Sequence, residues 1–146
     1  MAVQFLLFSL IFFAPGKLGW QWTPAASTAG HLLGGALILY GVIMLGSGLV
    51  NLGRNFQTLP TPKENASLVT NGAYRWVRHP IYSGIILGWI GWGTFRSAEL
   101  TIILVIVLLV PFFAIKTGRE ERLLKEAFPE YSDYQKRVRK LIPFLL

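Results

Sequence analysis

The sequence predicts an all-α integral membrane protein, with about four transmembrane helices and a cytoplasmic helical segment at the C-terminus. Three observations carry this. Of 146 residues, 53% are hydrophobic and only 14% charged, and the mean hydropathy is +0.49. A water-soluble core of this size needs more polar surface, whereas apolar side chains facing lipid carry no such penalty. The apolar residues also fall into long runs almost free of charge. Finally, the cations are segregated: segment 51–79 and the tail from Lys116 hold twelve of the fourteen, and the opposite loops hold only Lys17 and Arg96. Cytoplasmic loops are enriched in Lys and Arg, so both termini are expected on the cytoplasmic side of a bacterial inner membrane or the endoplasmic reticulum.

The spans follow in order. Met1 to Gly16 carries no charge and forms a ragged first run, stopped by Ala14-Pro15-Gly16. It lacks the basic n-region of a secretory signal. After a polar turn, Gln21 to Thr28, the second run covers about Ala29 to Val50, roughly 33 Å of helix and enough for a hydrocarbon layer of ~30 Å. The third, Pro80 to Phe95, and the fourth, Leu100 to Ile115, have 16 residues each, or roughly 24 Å. Both are short for a span, and Trp76, Trp89 and Trp92 are suited to anchor the third near an interface. Gly30-x-x-x-Gly34 and Gly84-x-x-x-Gly88 have the spacing that lets helix backbones approach closely, which is explained by packing within one chain without requiring an oligomer. The whole chain reads as one domain, with residues 1–50 supplying the first two spans and 51–146 the chemically richer part.

Composition also excludes. With no cysteine there is no disulfide framework, thiolate nucleophile or Cys-ligated metal. Two histidines, His31 and His79, are too few for a His-rich metal site, and His31, on an apolar span among small residues, reads as an interhelical group. The net charge of +7 suggests nucleic acid only on a soluble fold with a basic face. Membrane lipids are the expected partner of the tail cations, Lys136, Arg137, Arg139 and Lys140, and that tail reads as surface structure.

Two segments carry candidate chemistry. Asn71-Gly72 signals a turn. Pro80 suits the first turn of the third helix, where its missing N–H costs nothing, so His79 falls at the helix entrance with Tyr82 and Ser83 just inside. Free backbone N–H groups there attract an anion, with Arg75 and Arg78 nearby; interfacial anchoring explains the same residues without a ligand. In the tail, a helix from Gly118 to Phe128 groups Leu123, Leu124, Ala127 and Phe128 on one arc. Glu120 projects near its middle and Glu121 from its edge. A carboxylate so placed needs a hydrogen-bonding group, a cation or a ligand opposite it. Thr117-Gly118-Arg119-Glu120 also fits a capping box, and Glu121 with Lys125 an ordinary i,i+4 pair.

Taken together, Gly72 to Gly84 with its Arg78-His79-Pro80-Ile81-Tyr82 core, one apolar span, then Glu120-Glu121-Arg122-Leu123-Leu124 and Phe128, Tyr131, Tyr134 and a closing Ile142-Pro143 resemble the isoprenylcysteine carboxyl methyltransferase family, within the wider membrane phospholipid methyltransferases. The resemblance implies an all-helical membrane enzyme that binds S-adenosylmethionine between the Arg-His-Pro segment and the C-terminal helix and accepts a lipophilic or lipid-linked substrate from the bilayer. It implies His79, Tyr82 and Glu120 as cofactor contacts, with Glu121 beside them and Lys63 and Leu68 lining the loop side. Arg75, Arg78 and Arg119 become candidates to hold the cofactor's carboxylate or an acidic substrate group. A sterol-type double-bond reductase, with a related His-Pro-x-Tyr segment and a nicotinamide cofactor, and a non-catalytic membrane scaffold are the alternatives.

Overall fold

The computed structural model describes residues 2–13, 18–19, 21–53 and 67–141. Their helices are α1 (Ala2–Phe13), α2 (Pro24–Leu52), α3 (Pro80–Phe95), α4 (Glu99–Ala127) and the short α5 (Tyr131–Arg137), with a 3₁₀ turn at Gly72–Arg75. Among the described residues the extended pairing is one isolated parallel bridge, Val77 with Arg139. The helices fall in the expected order, but among the described residues only α2 and α4, 29 residues each, are long and apolar enough to cross a membrane. At 1.5 Å per residue α1 reaches only ~18 Å and α3 ~24 Å.

Helix α4 corrects one expectation. The fourth run and the tail helix are one rod, with no start at residue 118. Val105–Leu109 forms a π stretch that ends one residue short of Pro111, whose ring has no N–H for the Val107 carbonyl and crowds it; the wider turn relieves the clash. Thr117 therefore caps nothing: its hydroxyl donates back to the carbonyls of Phe113 at 2.6 Å and Ala114 at 3.1 Å. The capping-box account of Glu120 is removed.

The chain forms two compact units, Met1–Val42 with Ile85–Phe112 and Ile43–Gly84 with Phe113–Leu146. In the first, α1 lies against the beginning of α4, and the Phe8 and Phe12 rings meet Trp89 at 6.0 and 6.4 Å. Gly34 presses on the α3 backbone, where an added Cβ would come within 2.5 Å of the Phe95 nitrogen, and Gly91 is equally crowded by the Gly34 carbonyl. The Gly30/Gly34 pair thus serves packing within the chain. Gly88, the sequence's other candidate, faces open space. His31 sets its ring edge-on to Phe95 at 5.0 Å.

In the second unit, Gly48 lets the end of α2 pass close to Pro80 and Ile81. Gly72 takes a left-handed φ of 57°, and an added Cβ there would collide with the Asn51 amide, which itself accepts from the Ala73 N–H at 3.0 Å. Pro80 opens α3 as expected. The tail corrects a second expectation: Tyr131, Tyr134 and Leu141 are buried, and the chain after α5 folds back on the start of α3. The N–H groups of Arg78 and His79 donate to the carbonyls of Arg139 at 2.8 Å and Lys140 at 3.1 Å, and the Ser83 hydroxyl donates to the Leu141 carbonyl at 2.5 Å.

Candidate functional site

The site lies within the second unit, where the entrance of α3 meets the C-terminal half of α4 and the returning tail. Tyr82, in the first turn of α3, donates its hydroxyl to Glu120 at 2.6 Å. The His79 ring lies between the two carboxylates: Nδ1 is 3.7 Å from Glu120 and Nε2 is 3.2 Å from Glu121. The Tyr82 ring stacks between His79 at 5.9 Å and Phe113 at 4.7 Å. The Lys116 ammonium stands 4.9 Å over the same ring, within cation–π range. His79, Tyr82 and Glu120 are thus brought together.

Glu121 is placed differently from the sequence reading. It is the more buried of the pair, 6% exposed, and its side chain is turned to protein partners. Arg78 Nε donates to it at 2.7 Å and the Gln135 amide at 3.1 Å, with Lys140 Nζ at 3.8 Å. Helical phase alone put Glu120 at the centre of the buried arc; the tail, folding over the next residue, reverses that order. The same tail engages Arg78, whose Nη1 donates to the carbonyls of Gln135 at 3.1 Å and Val138. Arg75 and Arg119 are exposed, and Lys63 lies outside the described residues.

Beside these groups is a cavity of about 100 Å³ lined by Leu68, Val69, Tyr74, Leu124, Tyr131 and Tyr134, among others, with Arg78 also in its wall. Leu68 thus lines this cavity from the segment before the 3₁₀ turn. Tyr74, Tyr131, Tyr134, Lys116 and Gln135 were not singled out as site residues from sequence. The signal for two of them was present: Tyr131 and Tyr134, three apart, share one face of a helix. The Tyr134 hydroxyl donates to the Tyr74 carbonyl at 2.6 Å. The Tyr131 hydroxyl is buried, on a residue 1% exposed, and has no hydrogen-bond partner among the described residues. Burial, reinforced by the charge of Glu120, pushes the Tyr74 phenol up to about 12. Burial raises Tyr131 and Tyr134 as well, with the Glu121 charge adding to the rise of Tyr131. The cavity wall therefore keeps neutral phenols, and one donor without a protein acceptor is a costly thing to bury unless something else receives it.

A sequence model of the isoprenylcysteine carboxyl methyltransferase (ICMT) family matches residues 34–126. The chain belongs to this family. The match takes in α3, the His79–Tyr82 turn and the glutamate pair, and reaches back into α2. Among curated relatives, protein-S-isoprenylcysteine O-methyltransferase B of Arabidopsis thaliana is 32% identical over 112 residues, covering 75% of this chain and 57% of its own length. The cobalt-zinc-cadmium resistance protein CzcN of Cupriavidus metallidurans is 32% identical over 150 residues, covering 99% of this chain and 62% of its own. The solved structure of the eukaryotic intramembrane Ras methyltransferase ICMT aligns with 99% of this chain at a TM-score of 0.72 and 28% identity, using 50% of that protein. The chain thus spans about three fifths of those curated relatives and half of the solved ICMT protein. Among the described residues no group of three or more His, Cys, Asp or Glu is arranged to hold a metal ion.

Proposed function

We propose that this chain is an integral membrane methyltransferase that uses S-adenosylmethionine and methylates a lipophilic acceptor, either an isoprenylcysteine-type carboxylate or another lipid-soluble nucleophile. Family membership supports the reaction class over the reductase and scaffold readings. The observation that carries the site is the pairing of Glu120 with Tyr82 and His79, one residue from Arg78 in the wall of a cavity that Tyr131, with its buried unsatisfied hydroxyl, also lines. A buried donor lacking a protein acceptor fits a polar ligand, and a carboxylate with a neighbouring phenol fits ribose hydroxyls or an amino group, so the residues present suit this methyl donor.

S-adenosylmethionine, when bound, supplies an electrophilic methyl on a sulfonium sulfur. Glu120 is assigned to its hydroxyls or amino group, Tyr82 to holding Glu120 in place, and Tyr131 to donating a hydrogen bond from the cavity wall. Leu68, Val69 and Tyr74 form the apolar wall, and Lys63 is assigned to the loop side. The exposed Arg75 and Arg119 are assigned to an acidic acceptor, by a bidentate contact. Arg78 is assigned to support. Methyl transfer asks little covalent help from protein, so in-line positioning and exclusion of water by the Tyr82, His79 and Phe113 rings are the main contributions.

The relatives carry protein-isoprenylcysteine names in some cases and metal-resistance names in others, so the acceptor is proposed by chemical class alone. The proposal includes four membrane-inserted helices, α1 and α3 being the short ones, with both termini and the site on the cytoplasmic face. Equilibrium binding of S-adenosylmethionine and, separately, of a nicotinamide dinucleotide to the detergent-purified chain tests the reading. Saturable micromolar binding of the first is expected; binding of the second alone would replace the methyltransferase with the reductase.

A further inference from the structure

Four donors converge on the two oxygens of Glu121: Arg78 Nε, His79 Nε2, Gln135 Nε2 and, more distantly, Lys140 Nζ. The partners come from different parts of the chain. Arg78 and His79 precede α3, Gln135 lies in α5, and Lys140 is on the returning tail, its Nζ also donating to the Ala114 carbonyl at 3.3 Å. Arg78 extends the arrangement, since its Nη1 donates to the carbonyls of Gln135 and Val138. With the backbone bonds from Arg78 and His79 to Arg139 and Lys140, the tail from Gln135 to Leu141 is clasped to the α3 entrance around one carboxylate.

That carboxylate also constrains the imidazole. A carboxylate oxygen already receiving Arg78 Nε can only accept, so its 3.2 Å contact with His79 is a hydrogen bond only when Nε2 carries the hydrogen. Nδ1 is thereby aimed at Glu120, 3.7 Å away, and the ring plane is set to stack on Tyr82. An amide in place of Glu121 would present one acceptor and two donors to these four donors. It cannot satisfy the Arg78–His79 side and the Gln135–Lys140 side together.

We propose that Glu121 is a positioning residue: clasped by Arg78 and Gln135, it keeps a hydrogen on His79 Nε2, sets the ring orientation and docks residues 135–141, so that an ordered tail and a correctly oriented His79 ring form as one unit. This deepens the methyl-donor reading and rests on it for its functional consequence. It assigns Glu121 no contact with the donor.

The chain has only two histidines, so with ¹⁵N-histidine labelling a His31→Gln background leaves His79 as the single imidazole signal. In ligand-free protein that signal is expected to show a protonated Nε2, and Glu121→Gln is expected to change it while speeding hydrogen exchange at residues 135–141. Glu121→Gln is also expected to weaken binding of S-adenosylhomocysteine, the probe used, by about tenfold. A residue that only stabilised the fold would lower the melting temperature without altering the His79 signal of the folded protein. If Glu121→Gln does not fold, Gln135→Ala removes one clasping group and is expected to act in the same direction, by about threefold in affinity. An unchanged His79 signal with unchanged exchange in residues 135–141 overturns the proposal. Wild-type protein that binds no S-adenosylhomocysteine overturns the methyl-donor reading instead, while the ligand-free signals still support or overturn the role of Glu121.

Discussion

Helix α4 begins with the buried carboxylate Glu99 and carries Glu120 and Glu121 in its C-terminal half, in different surroundings. Glu99, 6% exposed, accepts from the Trp22 indole N–H and from the Leu18 backbone N–H at 3.3 Å. Both N–H donors stand ahead of α2, so their bonds to Glu99 staple the α1–α2 connection to α4. Glu120 and Glu121 instead meet a phenol, an imidazole and a guanidinium, near a cavity with an unsatisfied hydroxyl. Burial of a carboxylate is thus no sign of function by itself. A cavity nearby, and a buried donor left without an acceptor beside it, mark the second setting as the candidate site.

The largest expected effect tests the functional end. Glu120→Gln should weaken S-adenosylmethionine binding ten- to hundredfold, matching about 1.5–3 kcal/mol for a charge-assisted hydrogen bond, with little change in melting temperature; titration calorimetry reads it. At the other end, Glu99→Gln should lower stability by about 1–3 kcal/mol and leave donor affinity unchanged, as thermal unfolding in detergent and the same calorimetry would show. Gly34→Ala should cost about 1–3 kcal/mol by forcing α2 from α3, because the added methyl meets backbone. Gly35→Ala beside it, facing open space, should be neutral or stabilising by up to about 1 kcal/mol, so parallel melts of the two variants compare packed with free faces. The smallest effect is expected for Tyr131→Phe: no loss of stability without ligand, since the hydroxyl has no partner among the described residues, and about three- to tenfold weaker donor binding.

Much of this was legible from local pattern. Pro80 marked the start of α3, the uncharged run from Ala29 to Val50 marked α2, and the odd carboxylate Glu120 pointed to a partner that Tyr82 and His79 now supply in part. The helical phase failed at Glu121 because it sees only one helix. What buries that residue is a chain reversal after α5, and the reversing stretch, Val138-Arg139-Lys140-Leu141, is basic enough to read as solvated. Arg139 stays exposed, Lys140 turns in toward Glu121, and the backbone of both pairs with Arg78 and His79. The unbroken α4 was hidden by a similar conflict: Thr117-Gly118 looks like a helix start, and only the continuous hydrogen bonding across it, with Pro111 accommodated by the π stretch, shows otherwise. Tyr74 gave no warning, because its burial depends on the tail helix covering it.

An experimental structure of the full chain with S-adenosylhomocysteine bound is the most direct measurement. The ligand is expected within hydrogen-bonding distance of Glu120 and the Tyr131 hydroxyl, with Glu121 still held by Arg78 and making no contact with it. A ligand bound elsewhere, with Glu120 and Tyr131 unchanged from their ligand-free contacts, would contradict the account.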